Sequence, residues 1–226
     1  VITCGATINE EMIKQWGLKN LNWPITHFDI YRADSVPLSG IIDQLPDNWI
    51  PDFYLWIETG LSNIPPDLKN HKMLKVCYLI DTHVNLEEHK VIASQFDCVF
   101  LAQKFYVEKF KVLGNKNVFW LPLACDPEIH GKKNVSKQYE VSFVGTIGDK
   151  KSRRKHLLDK INKNFNLHFE RRFMNEMAEV FSASHIIFNN AIKNDLNMRV
   201  FEALCSGSML ITDKADGSGL DYFFEN

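Results

Sequence analysis

Nothing in the 226-residue chain approaches the roughly 18 consecutive apolar residues of a membrane helix. No basic-then-apolar leader opens it either, although it starts at Val1 rather than Met, so an upstream piece is expected to have been removed. Neither charge is in excess: 26 basic against 28 acidic residues leave −2, which gives no global attraction to nucleic acid or anionic lipid. Cysteine is sparse, with no CxxC. The five thiols (Cys4, Cys77, Cys98, Cys125, Cys205) are odd in number, scattered and mostly set in apolar runs, which reads as reduced, buried cysteines in a cytoplasmic protein. There is no internal repeat, no low-complexity stretch, no GxSxG, no Walker loop and no GxGxxG fingerprint. A DxD pair for a divalent metal is missing too, and His83 and His89 are six apart on no common helix face, so neither a metal nor a cofactor is expected. What remains is an ordinary globular composition, 45% apolar and 24% charged, long enough for one large or two small domains with real cores.

Short β-forming runs alternate with amphipathic segments. Residues 52–57 (DFYLWI), 75–80 (KVCYLI), 96–102 (FDCVFLA) and 117–123 (NVFWLPL) read as strands, and 2–4 as the stub of an earlier one followed by a helix from Asn9. Residues 86–94 and 103–113 read as helices, with Tyr106, Phe110 and Leu113 at four- and three-residue spacing. This alternation predicts right-handed crossovers and a parallel sheet. The texture changes after Leu123: 125–138 is polar, carries Pro127 and Gly131, and reads as a linker. Strands resume at 139–144, 184–189 and 208–212, with a basic helix from about Ser152 and a helix over 199–206. The expectation is an α/β protein of two domains, 1–124 and 139–226. The second has only three strand candidates and so is expected to be cut short.

Three segments carry candidate chemistry. In 194–207 (NDLNMRVFEALCSG) a polar loop of Asn194, Asp195 and Asn197 leads into a helix whose Arg199 and Glu202 share a face. The plain alternative is a surface ion pair. The position after a strand end favours a phosphate near Arg199 and sugar hydroxyls on Glu202. In 143–155 (FVGTIGDKKSRRK) a strand runs into Gly145 and Gly148, and five of the six residues 150–155 are basic. A solvated helix face is the plain alternative. A nucleic-acid patch fits poorly, because aromatics are not interleaved with the basic run. Placed after a strand–glycine turn, Arg153 and Arg154 suit a diphosphate. In 81–85 (DTHVN), Asp81 and His83 could work as an acid–base pair, with a helix cap at Asp81 or Thr82 as the alternative. Glu58 is a further strand-end carboxylate that could serve as a base.

Taken together, IDTH, FDCVFLAQKFYVEKF, NVFWLPLACDPEIH, FVGTIGDKKSRRKHLL and NMRVFEALCSGSMLITD resemble the CgeB-like branch of the group 1 glycosyltransferases. The resemblance spans about Cys77 to Asn226. It implies the GT-B architecture, two Rossmann-like domains facing across a cleft, with a nucleotide sugar held mainly by the C-terminal one. It further implies that Glu202 binds the ribose, that Arg153 or Arg154 holds the diphosphate and that Gly145 admits it. Gly217 and Gly219 would lie beside the donor, and His83 or Asp81 would face the acceptor. Where such transferases carry a sugar-contacting glutamate eight positions before Glu202, this chain has Asn194, with Asp195 next to it. The expected function is metal-independent transfer from a nucleoside-diphosphate sugar to a glycan, lipid-linked or protein hydroxyl. The rival readings are a non-catalytic nucleotide-sugar-binding module and an epimerase or hydrolase on the same fold.

Overall fold

A computed structural model describes residues 2–4, 37–43, 45, 50–58, 64–115 and 117–224; the helix expected from Asn9 lies outside them. The chain divides into two compact units, Val1–Pro122 and Leu123–Asn226. Each holds one parallel sheet, as the alternating strand and helix runs predict.

In the first unit the strands are β1 (Ile2–Cys4), β2 (Phe53–Ile57), β3 (Leu74–Leu79), β4 (Cys98–Leu101) and β5 (Val118–Trp120), in the spatial order β1-β2-β3-β4-β5. Helices α1 (Leu38–Ile42), α2 (Leu86–Ala93) and α3 (Val107–Val112) belong to the same unit. Its core joins Tyr54, Trp56, Cys77, Leu79, Val99, Leu101 and Phe110, every one nearly or fully buried. Alternation does this work in β2, where Tyr54 and Trp56 turn inward and their neighbours lie half-buried.

The second unit contains α4 (Pro127–His130), β6 (Tyr139–Val144), α5 (Arg153–Asn164), β7 (Leu167–Glu170), α6 (Met174–Ser182), β8 (Ser184–Phe188), α7 (Met198–Cys205), β9 (Met209–Ile211) and α8 (Leu220–Phe223). Its sheet order is β7-β6-β8-β9. After β6 the chain steps one way to β7, then returns past β6 to β8 and β9. Right-handed crossovers therefore put α5 on one face of the sheet and α6 and α7 on the other. Val144, Met177, Val180, Phe181, Ile187 and Ala203 form the core on the latter face.

Two expectations are corrected here. The second sheet has four strands rather than three: LHFE pairs with β6 from Leu167 opposite Val141 to Glu170 opposite Val144. Residues 125–138 are also fastened to this unit rather than forming a free linker. Ile129 and His130 are buried, the Lys133 N–H donates to Ser182 Oγ at 2.9 Å, and Lys137 Nζ donates to the Ser184 carbonyl and to Ser208 Oγ. Such anchoring leaves no periodic signal, because backbone and lysine donors make it, not an apolar stripe.

Candidate functional site

In an open parallel sheet, ligands gather beyond the carboxyl ends of the strands, where neighbouring crossovers diverge. In the second unit that point lies between β6 and β8. Val144 ends β6 and is followed by Gly145 at φ +146, and Phe188 ends β8 and is followed by the buried Asn189 and Asn190. Arg199, in the first turn of α7, bridges the two strand ends. Its Nε donates to the Val144 carbonyl at 2.9 Å, its guanidinium donates to Asn189 Oδ1 at 2.8 Å, and its charge lies 4.9 Å from the centre of the Phe143 ring. A β-carbon on Gly145 would come within 2.6 Å of that guanidinium, so the glycine leaves room for Arg199 itself. The surface ion pair is thereby overturned: Arg199 points into the sheet edge, and burial, with the neighbouring Arg154 charge, pulls its pKa down to about 10.

The basic run separates into two roles. Ser152 caps α5, accepting from the Lys155 N–H at 3.2 Å, and the first turn that follows carries Arg153, Arg154 and Lys155 with no acid. Cations there oppose the helix dipole, an arrangement suited to an incoming anion. Arg153 is exposed and paired with Asp213 at 2.5 Å; Asp213 in turn accepts from Asn190 Nδ2 and from the Ala191 N–H, both at 2.7 Å. Arg154 is half-buried, donates to the Thr146 carbonyl at 2.7 Å and the Asn190 carbonyl at 3.3 Å, and lies 5.4 Å from the same Phe143 ring. Its Nε is buried without a partner. Two guanidinium groups thus share one aromatic ring, and among the described residues neither is paired with a carboxylate.

Glu202 lies one turn deeper along α7, buried, 3.6 Å from His130 Nε2, and burial pushes its pKa up to about 7 against the pull of Arg199. Asn197 takes the N-cap position of α7 without a side-chain capping bond, and its Oδ1 is buried unpaired. Asp195 is buried, while Asn194 is exposed at φ +62. Beyond β9, a cavity of about 400 Å³ is lined by Thr212, Asp213, Asp216, Gly217, Leu220 and Phe224, among others. Gly219 stands at the left-handed N-cap of α8 beside it. Sequence reasoning passed over Phe143, Asn189 and Asp213, whose roles appear only when the strands are paired.

The first unit's candidates lie on the turn after β3. Glu58 follows β2; its Oε2 accepts the N–H groups of Ile80 and Asp81 at 2.5 and 2.8 Å, and its Oε1 lies 3.0 Å from His89 Nε2. Those bonds outweigh desolvation and hold the Glu58 carboxyl below its usual pKa. His89 Nδ1 meets Thr82 Oγ1 at 2.9 Å, and Gln103 takes the Thr82 N–H at 3.2 Å while donating to the Ile80 carbonyl. Glu58 is therefore a clamp on the turn, not an open base. Nor do Asp81 and Thr82 cap α2: that position falls to Asn85, which makes no side-chain cap, because the Asp81 carbonyl first closes a turn onto Val84 and Asn85. Asp81 is exposed and His83 is 8% exposed. Among the described residues no three His, Cys, Asp or Glu side chains are placed to hold a metal ion. Cys77, Cys98, Cys125 and Cys205 are free, and the last three are half-buried rather than buried. No described helix is long and apolar enough to cross a membrane.

The second unit is thus a Rossmann-like α/β layer with a cationic strand-end crevice. Residues 132–226 match the family model described as glycosyl transferase-like. That match covers most of this unit, leaving out 123–131, and supports a glycosyl-transfer role for it. No curated protein matches the chain.

Proposed function

We propose that the protein is a GT-B-type glycosyltransferase of the CgeB-like branch that takes its sugar from a nucleoside diphosphate without a metal ion. The observation that carries this reading is the pair Arg154 and Arg199. Both guanidinium groups lie over Phe143 at the reversal point of a parallel sheet, beside Gly145, without a carboxylate partner among the described residues. Two desolvated cations held that close repel each other, and a diphosphate there relieves the repulsion. During transfer the anomeric C–O bond breaks and its electron pair passes to the diphosphate oxygen. Fixed guanidinium groups stabilise that developing charge with little reorganisation. The acceptor oxygen bonds to the anomeric carbon and yields its proton to a base, for which His83, with Asp81 on the same turn, is the candidate. Glu202, once ionised, accepts the ribose hydroxyls, and the cavity beyond β9 next to Asp213 and Gly217 takes the donor sugar.

The test is thermal unfolding against a panel of nucleoside diphosphates in EDTA. Ligand at a hundred times its Kd stabilises by about 2.7 kcal/mol, a shift of roughly 5–10 °C for a chain of this size. A shift that survives EDTA is expected with at least one nucleotide. No shift with any of them contradicts the proposal.

A further inference from the structure

Cys125 and Cys205, the cysteines of the second unit, meet at a junction that glycosyl transfer does not use. Cys125 directly precedes Asp126, the N-cap of α4, and Cys205 is the last residue of α7. Three contacts lay the segment from 125 to 133 along α6 and the far end of α7. His130 Nε2 lies 3.6 Å from Glu202 Oε1, the Lys132 side chain passes 3.3 Å from where a β-carbon on Gly207 would sit, and the Lys133 N–H donates to Ser182 Oγ. Across that junction the Cys125 and Cys205 thiols hydrogen-bond to each other. Both are half-buried, which leaves them open to a small reagent.

The first unit supplies the contrast. Cys77 and Cys98 also occupy neighbouring strands, but Cys77 stands opposite Val99 and Cys98 opposite Val76, so alternation turns their thiols to opposite faces of the sheet. Cys77 is moreover fully buried, and burial pushes its thiol pKa up.

We propose that Cys125 and Cys205 form a reversible disulfide, a redox staple between the segment that enters the second unit and the helix that carries Arg199 and Glu202. The oxidant is a small-molecule disulfide. Burial, the bond to Cys205 and the nearby Glu202 charge push the Cys125 thiol up to about 12, so the first attack falls to Cys205. Its thiolate bonds to one sulfur of the small disulfide and expels the other as a thiolate. With Cys205 so engaged, its hydrogen bond and charge no longer hold Cys125 protonated. Cys125 then yields its proton to the expelled thiolate, attacks Cys205 Sγ and releases the second small thiol. Two protein thiols are oxidised to one disulfide, and the small disulfide is reduced to two thiols. Closing a loop from 125 to 205 restricts the unfolded chain, so the oxidised protein is the more stable form.

The full chain is incubated with oxidised glutathione, then weighed intact, mapped by proteolysis without reductant and melted. The wild type is expected to become two hydrogens lighter, with the Cys125 and Cys205 peptides linked. Its midpoint should rise by roughly 5–15 °C, and dithiothreitol should reverse both changes. Cys125→Ser should stop with one glutathione on Cys205. A wild type that stays unlinked, keeps glutathione on Cys205 or links another pair of cysteines overturns the proposal. A Cys125–Cys205 link that leaves the midpoint unchanged or lowers it also overturns it, because the bond would then distort the unit instead of bracing it.

Discussion

At the carboxyl edge of the first sheet, Glu58, His89, Thr82 and Gln103 satisfy one another and grip the backbone from Ile80 to Thr82. At the same edge of the second sheet, Arg154 and Arg199 find carbonyl oxygens, an amide oxygen and a ring and, among the described residues, no carboxylate. The sheet orders account for part of this contrast. The first steps one way through its described strands, so none of the crossovers among them diverge. The second reverses at β6, and the charge gathers at that reversal. Buried polar chemistry marks a ligand site when it is left uncompensated. When it closes on itself it marks a rigid support.

Removing Glu58 should break the comparison most severely. Glu58→Ala strips the partner from a buried histidine and two N–H groups, a loss of about 3–5 kcal/mol. Urea unfolding should show it as a lower midpoint, with nucleotide binding intact below the transition. Next comes Glu202. A carboxyl whose pKa is about 7 in the folded chain, against an ordinary 4.5, adds native-state protons between those values. Stability therefore falls as pH rises across that window. Glu202→Gln should abolish the fall and leave the ligand-free variant more stable above pH 7, by up to about 3 kcal/mol for a shift of that size. Melting curves at pH 5 and pH 8 check both the sign and the crossing. Arg153 should matter least. Its pair with Asp213 is mostly exposed on the arginine side, so Arg153→Ala should cost at most about 1 kcal/mol in the same melts.

The parallel architecture was legible because buried strands such as KVCYLI and YEVSFV are short apolar runs between amphipathic segments. β7 escaped notice since LHFE is an edge strand whose His168 and Glu170 are half-buried and hydrogen-bonded to each other. PEIH, with one turn of helix, is too short for periodicity to register. Gly145, Arg154 and Arg199 could be picked out because each follows a strand end. The division between Arg153 and Arg154 could not, since adjacent helical residues point about 100° apart; which one faces the crevice depends on how α5 lies on the sheet. Phe143 within β6 and Asn189 just past β8 look ordinary until tertiary pairing sets them against Arg199.

The central claim is that the diphosphate is held by Arg154 and Arg199, with His83 left to the acceptor. Titration calorimetry of the full chain with pyrophosphate and the tightest nucleoside diphosphate, in EDTA, tests it most directly when wild type, Arg154→Ala and His83→Ala are compared. Losing one charge-assisted contact is worth about 1.5–3 kcal/mol, so Arg154→Ala should bind both ligands at least about tenfold more weakly, while His83→Ala binds them like the wild type. Undiminished binding by Arg154→Ala, or an equal loss in His83→Ala, would contradict the account.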